Sequence, residues 1–321
     1  MAASKIYMKR EIENVLELMR ETSKDIYEHR NTVLTVETIK HYNRGVLRDL
    51  ELDEHVKPGE IPTVDIGVAG YRGAPRSECE YLLGRLTKWL STPWSDPENP
   101  LLDAVPESIL KAIMAHLYLA WIHPFGDGNG RTARMVEVRI LMQSGVPSPA
   151  TQLLSNHYNQ TRSQYYRELD RASKSGGDVM PFLMYAIEGF RDGLREQIDV
   201  VHRQQMEVTW ENYIYEQFRG HDSKTGRRRR QLVLDLTRLG RRGIERARTR
   251  ELSPELAVSY ARLSDRTLLR DVAAVVRMKL AREEGDRLVA NRELMLAFVP
   301  RRAENAIGSG DGGDADALAD G

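Results

Sequence analysis

The sequence predicts a mainly α protein in two parts, on three observations. Apolar residues recur at three- and four-residue steps through most of the first two-thirds of the chain. In that region only residues 63–73 alternate like a strand, with glycines among them. The last third is rich in arginine, with two short helical patterns followed by a hairpin signal.

Taken in order, the helical periodicity opens over residues 8–30, where Ile12, Val15, Leu16 and Met19 share a face. A second helix is expected from Thr35 to Leu50, with Thr35 as its N-cap and Thr38 in the first turn. Pro58, Gly59 and Pro62 make residues 53–63 a loop, and residues 63–73 follow as a short strand or hairpin. Tyr81, Leu82, Leu86, Trp89 and Leu90 pattern a helix over residues 77–91. Pro106 suits the first turn of the next helix, which runs towards Ile122 and is apolar enough to be buried. Another helix is expected to open at Arg131 and to stop at Gly145 and Pro147. Helical patterns continue through Tyr165 and Tyr166 and over residues 179–218.

The expected division is an N-terminal helical segment over residues 1–60, a core over 61–205, a helical linker over 206–226 and a basic domain over 227–302. A disordered tail, rich in Gly, Ala and Asp, is expected over 303–321. Net charge is zero, yet residues 222–302 hold 21 Lys and Arg against 11 Asp and Glu, a net +10. Within that basic domain, one helical segment precedes Leu263, a second opens at Ser264, and a wing surrounds Gly285. This is the order of a winged helix-turn-helix. In that arrangement Arg266, Thr267 and Arg270 face DNA; the other reading is a small helical domain solvated by its arginines, or one that binds protein. Cys79 is the single cysteine, which excludes a disulfide within the chain and fits a reducing compartment. With no signal-peptide core and no apolar run of about 18 residues, the expectation is a cytoplasmic protein without a membrane partner.

Between two helical patterns lies the string His123-Pro124-Phe125-Gly126-Asp127-Gly128-Asn129-Gly130-Arg131-Thr132-Ala133-Arg134. Its residue types suit phosphate. Gly126, Gly128 and Gly130 let the backbone wrap an anion, and a helix starting just after adds unpaired N–H donors and a positive dipole end. His123, leaving a buried helix, can accept a proton from an attacking hydroxyl near neutral pH. Asp127 is the loop's carboxylate and suits Mg2+, a hard cation that bridges phosphates. Asn129 can donate its amide hydrogens to a phosphoryl oxygen, and Arg131 and Arg134 can clamp outer phosphates. Phe125 is expected to point inward.

The same string resembles the complete signature of Fic domain proteins, His-x-Phe-x-Asp/Glu-Gly-Asn-Gly-Arg-x-x-Arg. Softer resemblance extends over residues 30–200. Leu34-Thr35-Val36-Glu37 is similar to the family's lead-in segment, residues 63–73 fall where the family places a β-hairpin flap, and Tyr165-Tyr166 resemble a Tyr-Tyr pair after the motif. The resemblance implies a Fic-type helical domain and transfer of AMP from ATP to a Ser, Thr or Tyr hydroxyl of a target protein, with Mg2+. It implies His123 as base, Asp127 as metal ligand, Asn129 on the α-phosphate, and Arg131 and Arg134 on the outer phosphates. The flap near Ile66, Gly67 and Val68 would dock the target as an added strand. Tyr166 is read as core or as part of an adenine pocket.

Dimers are common in the family, so a homodimer is an expected assembly. Many members carry an inhibitory helix spelled Ser/Thr-x-x-x-Glu, and no strict match occurs here. Glu28 lies in the corresponding region, but Lys24 stands four residues before it. The restraint is then degenerate, or supplied by an inhibitory partner protein, or absent. The alternative function is a DNA-binding transcriptional regulator whose Fic-like domain senses nucleotide or mediates assembly.

Overall fold

The computed structural model describes residues 2–28, 33–63, 73–94 and 103–297. The expected flap, with Ile66, Gly67 and Val68, and the expected tail over 303–321 lie outside the described residues. The chain divides into two compact units, residues 1–198 and 199–321.

The first unit is helical among the described residues. Its helices are α1 (Ala2–Tyr27), α2 (Val36–Val46), α3 (Arg76–Ser91), α4 (Ala104–Ile122), α5 (Asn129–Gln143), α6 (Leu153–Gln160), α7 (Arg162–Lys174) and the start of α8 (Met180–Gln217). Helices α4 and α5 are central and pack on each other, with α1 and α2 against α5. Burial on several faces explains their apolar content. Ala112, Ile113, Ala115 and Leu117 of α4 and Val136 and Leu141 of α5 are fully buried. Helix α2 starts as its sequence implies, with the Thr35 hydroxyl accepting the Thr38 N–H at 3.1 Å. Residues expected as a separate N-terminal segment share this core, since Leu18, Ile39, Tyr42 and Val46 are buried in the same cluster as α4 and α5.

The second unit holds the C-terminal part of α8, α9 (Lys224–Arg238), α10 (Pro254–Tyr260), α11 (Asp265–Arg277) and a three-stranded antiparallel sheet. The strands are β1 (Ile244–Glu245), β2 (Ala281–Glu284) and β3 (Arg287–Ala290), in the order β1-β3-β2. Glu284 pairs with Arg287, so β2 and β3 join through Gly285 and Asp286, and Gly285 takes the positive φ of 64° that this tight turn needs. Residues 206–226, expected as a linker, instead supply Trp210, Ile214 and Phe218 to this unit's core. Their 3.6-residue period buries an apolar stripe, and the Trp210 indole donates to Thr237 Oγ1 at 2.8 Å.

A basic run at residues 227–230 lies inside α9. Arg228 and Arg229 reach the buried carboxylate of Asp271 on α11 at 2.6 and 2.7 Å, and the Tyr260 hydroxyl donates to it at 3.1 Å. Removing one partner of such a pair leaves the others' charge uncompensated. Asp271→Ala is therefore expected to cost the second unit about 3 kcal/mol in urea or thermal unfolding. A loss below about 0.5 kcal/mol, the range of ordinary surface changes, would contradict that role.

Candidate active site

The loop between α4 and α5 is shaped by two left-handed residues. His123 caps α4 with φ 50° and ψ 54°, its N–H bonded to the Leu119 carbonyl at 2.9 Å, and Pro124 cannot continue the helix. Gly128 precedes α5 with φ 75°, and an added Cβ there would lie 3.1 Å from the Asn43 amide nitrogen. Helix α5 thus opens at Asn129, two residues earlier than the pattern around Arg131 suggests, because Gly128 supplies the turn.

Three anchors hold the loop. Phe125 points into the core, 1% exposed. The buried Asn129 closes a ring with it: the Phe125 N–H donates to Asn129 Oδ1 at 3.0 Å, and Asn129 Nδ2 donates to the Phe125 carbonyl at 2.8 Å. The amide expected to face phosphate is therefore first a brace for the loop, leaving one N–H for a ligand. The third anchor, Asn43 of α2, was not visible in the motif. It donates to the Asp127 carbonyl at 2.9 Å and to Thr132 Oγ1 at 3.2 Å, and accepts the Gly59 N–H at 2.8 Å.

His123 is half-buried at the loop's start. Burial lowers its pKa from the ordinary imidazole value; its ring hydrogen bond with the Ala120 carbonyl opposes this, the Arg76 guanidinium adds to it, and Asp127 opposes it. One ring nitrogen donates to Ala120, and in a neutral imidazole the second ring nitrogen is an acceptor. Arg76 of α3 also donates to the His123 carbonyl at 2.6 Å. The chain passes close by at Gly73, where an added Cβ would sit 2.8 Å from the His123 Cβ. These neighbours are distant in sequence, and nothing in the motif announces Arg76 or Gly73.

Asp127 accepts the Gly128 N–H at 2.5 Å through one oxygen and faces Arg131 at 3.3 Å through the other, with its side chain 44% exposed. Among the described residues no group of three or more His, Cys, Asp or Glu could hold a metal by itself. A single accessible carboxylate fits a Mg2+ whose remaining ligands are phosphate oxygens and water. Arg131 is also engaged from α1, where Glu11 lies 2.8 Å from it. Glu28, the residue in the expected inhibitory region, is exposed just past α1.

Arg131 and Arg134 border a cavity of about 400 Å3, whose wall includes Glu11, Met135, Asn156 and Asn159. Guanidinium groups, amides and an apolar surface together suit a ligand with both phosphate and a ring. Tyr166 does not line this cavity. It is 54% exposed, with the Arg162 guanidinium 5.7 Å over its ring. Tyr165 is instead buried, its hydroxyl 2.8 Å from His116 Nε2, because its position on α7 faces the core.

Residues 33–141 match the model of the Fic/DOC family. A protein adenylyltransferase Fic of Culex quinquefasciatus is 30% identical over 157 residues, which cover 49% of this chain and 28% of that protein. Its counterpart in Drosophila melanogaster is 30% identical over 152 residues, covering 47% and 27%. The chain spans less than a third of the length of these relatives. A solved structure of Fic-1 (residues 134–508) from C. elegans aligns with 61% of this chain and 52% of that one, at 24% identity and a TM-score of 0.46.

The Glu11–Arg131 contact makes a direct prediction about anion binding. Glu11→Ala releases the guanidinium, so inorganic tripolyphosphate should bind about three to ten times more tightly by calorimetry at low salt, as expected for a partly screened pair. Glu13→Ala removes a charge from the same helix that pairs with Lys9 and Arg10, and should change little. An unchanged affinity in Glu11→Ala, or the same gain in both variants, would contradict the assignment.

Proposed function

From the Fic/DOC domain that residues 33–141 carry, we propose that this chain is a protein adenylyltransferase that moves AMP from ATP to a Ser, Thr or Tyr hydroxyl of a target protein. The observation that carries the reading is His123. A half-buried imidazole, with its pKa lowered and one nitrogen committed to Ala120, stands at the mouth of a glycine-rich anion loop. The other nitrogen takes the proton of the target hydroxyl. The hydroxyl oxygen then forms a bond to the α-phosphorus, the bond from that phosphorus to the bridging oxygen of the β-phosphate breaks, and pyrophosphate leaves.

The remaining groups position and stabilise. Backbone N–H groups at the start of α5, which have no partner within the helix, face the α-phosphate together with the spare N–H of Asn129. Gly126, Gly128 and Gly130 keep that approach open, and Arg131 and Arg134 hold the outer phosphates through paired N–H donors. Asp127 would hold Mg2+, which when bound offsets the charge developing on the phosphates. In this scheme Glu11 must yield Arg131 to the nucleotide.

The test uses ATP labelled at the α- or the γ-phosphate, incubated with Mg2+ and cell lysate. Protein-bound label is expected from the α position only, and His123→Ala should lower its rate by about 100-fold or more, the usual weight of a general base. Transfer of γ label, absence of label, or α label indifferent to His123 would each overturn the proposal.

A further inference from the structure

In the second unit, some of the arginines are matched to acids. Arg246 pairs with Glu283, Arg248 with Glu251 and Arg250 with Asp265. Helix α11 differs. Arg266 and Arg270 have no ion-pair partner among the described residues, and both are exposed. They stand four apart, so they share one face with the exposed positions 269, 273 and 277. Arg277 continues the row, with its Nε donating to the Ala273 carbonyl at 3.3 Å.

The opposite face cannot turn outward. Leu268, Val272 and Val275 are buried in the unit's core, and Asp271 is pinned by Arg228, Arg229 and Tyr260. The arginine face is thus presented by a fixed scaffold. Ahead of it lie α10 and the short turn at residues 261–264, and behind it the hairpin β2–β3. Arg266 and Arg270 lack an ionic partner within the described residues of the unit, and an anionic surface along the helix would supply one.

We infer that the α11 face carrying Arg266, Thr267 and Arg270 binds duplex DNA. The thirteen residues of α11 extend about 20 Å, and a helix about 10–12 Å across fits a major groove about 12 Å wide. Duplex DNA offers a negative charge every ~1.7 Å along its axis, which matches a continuous row of guanidinium groups. Leu269, 45% exposed, and the half-buried Thr267 add apolar contact of the kind a thymine methyl accepts. An acidic protein is the competing occupant; the extended charge row in a helix–turn–helix–hairpin order favours DNA. The inference is independent of the reaction assigned to the first unit.

Anisotropy of a fluorescein-labelled 30-base-pair duplex, titrated with the full chain at several salt concentrations, tests it. Binding should weaken steeply as salt rises. Arg266→Ala/Arg270→Ala should lose at least about tenfold in affinity and flatten the log–log salt slope by about 1 to 2. Both side chains are exposed, so this variant should keep the wild-type melting temperature. Arg248→Ala, which removes the same charge from a matched pair, should stay within twofold. No binding at low salt, equal loss in Arg248→Ala, or equal affinity for polyglutamate would overturn the inference.

Discussion

One buried carboxamide holds the site in shape. Asn43 is fully buried, and its two ends satisfy the Gly59 N–H, the Asp127 carbonyl and the Thr132 hydroxyl. The Thr132 hydroxyl also donates to the Gly128 carbonyl at 2.9 Å, but the Gly59 N–H and the Asp127 carbonyl would lose a partner, at a cost of about 1–3 kcal/mol each. The network therefore fixes the loop against α2. Asn129 repeats the device within the loop by closing both polar atoms of its side chain on the backbone of Phe125. Between the two, the loop has little freedom to reorganise when an anion arrives, and that rigidity is what makes oriented N–H groups effective.

The electrostatics of the loop are built from opposed terms. Burial and Arg76 favour neutral His123, while the Ala120 carbonyl and Asp127 favour its charged form, and the balance falls to neutral. Arg131 stands between two carboxylates, Glu11 and Asp127, and is partly compensated before any ligand binds. Phosphate binding would exchange those contacts for others of the same charge-assisted class, which an arginine can make in bidentate form. The carboxylate on α1 thus couples an N-terminal helix to the motif more than a hundred residues later.

Local signals were read well from sequence because local physics decides them. The Thr35 cap, the buried α4 and the inward Phe125 follow from hydrogen-bonding capacity, periodicity and size. Long-range partners were not legible. Asn43, Glu11 and Arg76 lie outside the motif, and their spacing says nothing about which surface they meet. Residues 206–226 misled because a charged helix with one apolar stripe looks like a linker until its stripe finds Trp210's pocket. Tyr165 and Tyr166 show the limit of a paired motif: neighbours on a helix point about 100° apart, so one is buried and the other exposed.

The central claim is that the loop presents His123 as a neutral proton acceptor at physiological pH. Titration of the imidazole by NMR of histidine-labelled protein measures it, with the resonance assigned by its absence in His123→Ala. The lowered pKa means the folded protein disfavours the charged ring, so the midpoint should fall below the ordinary histidine value of about 6.5. The ring would then be almost entirely neutral at pH 7.5. A midpoint at or above the ordinary value would mean that burial does not govern this site, and that His123 is not poised to accept the proton.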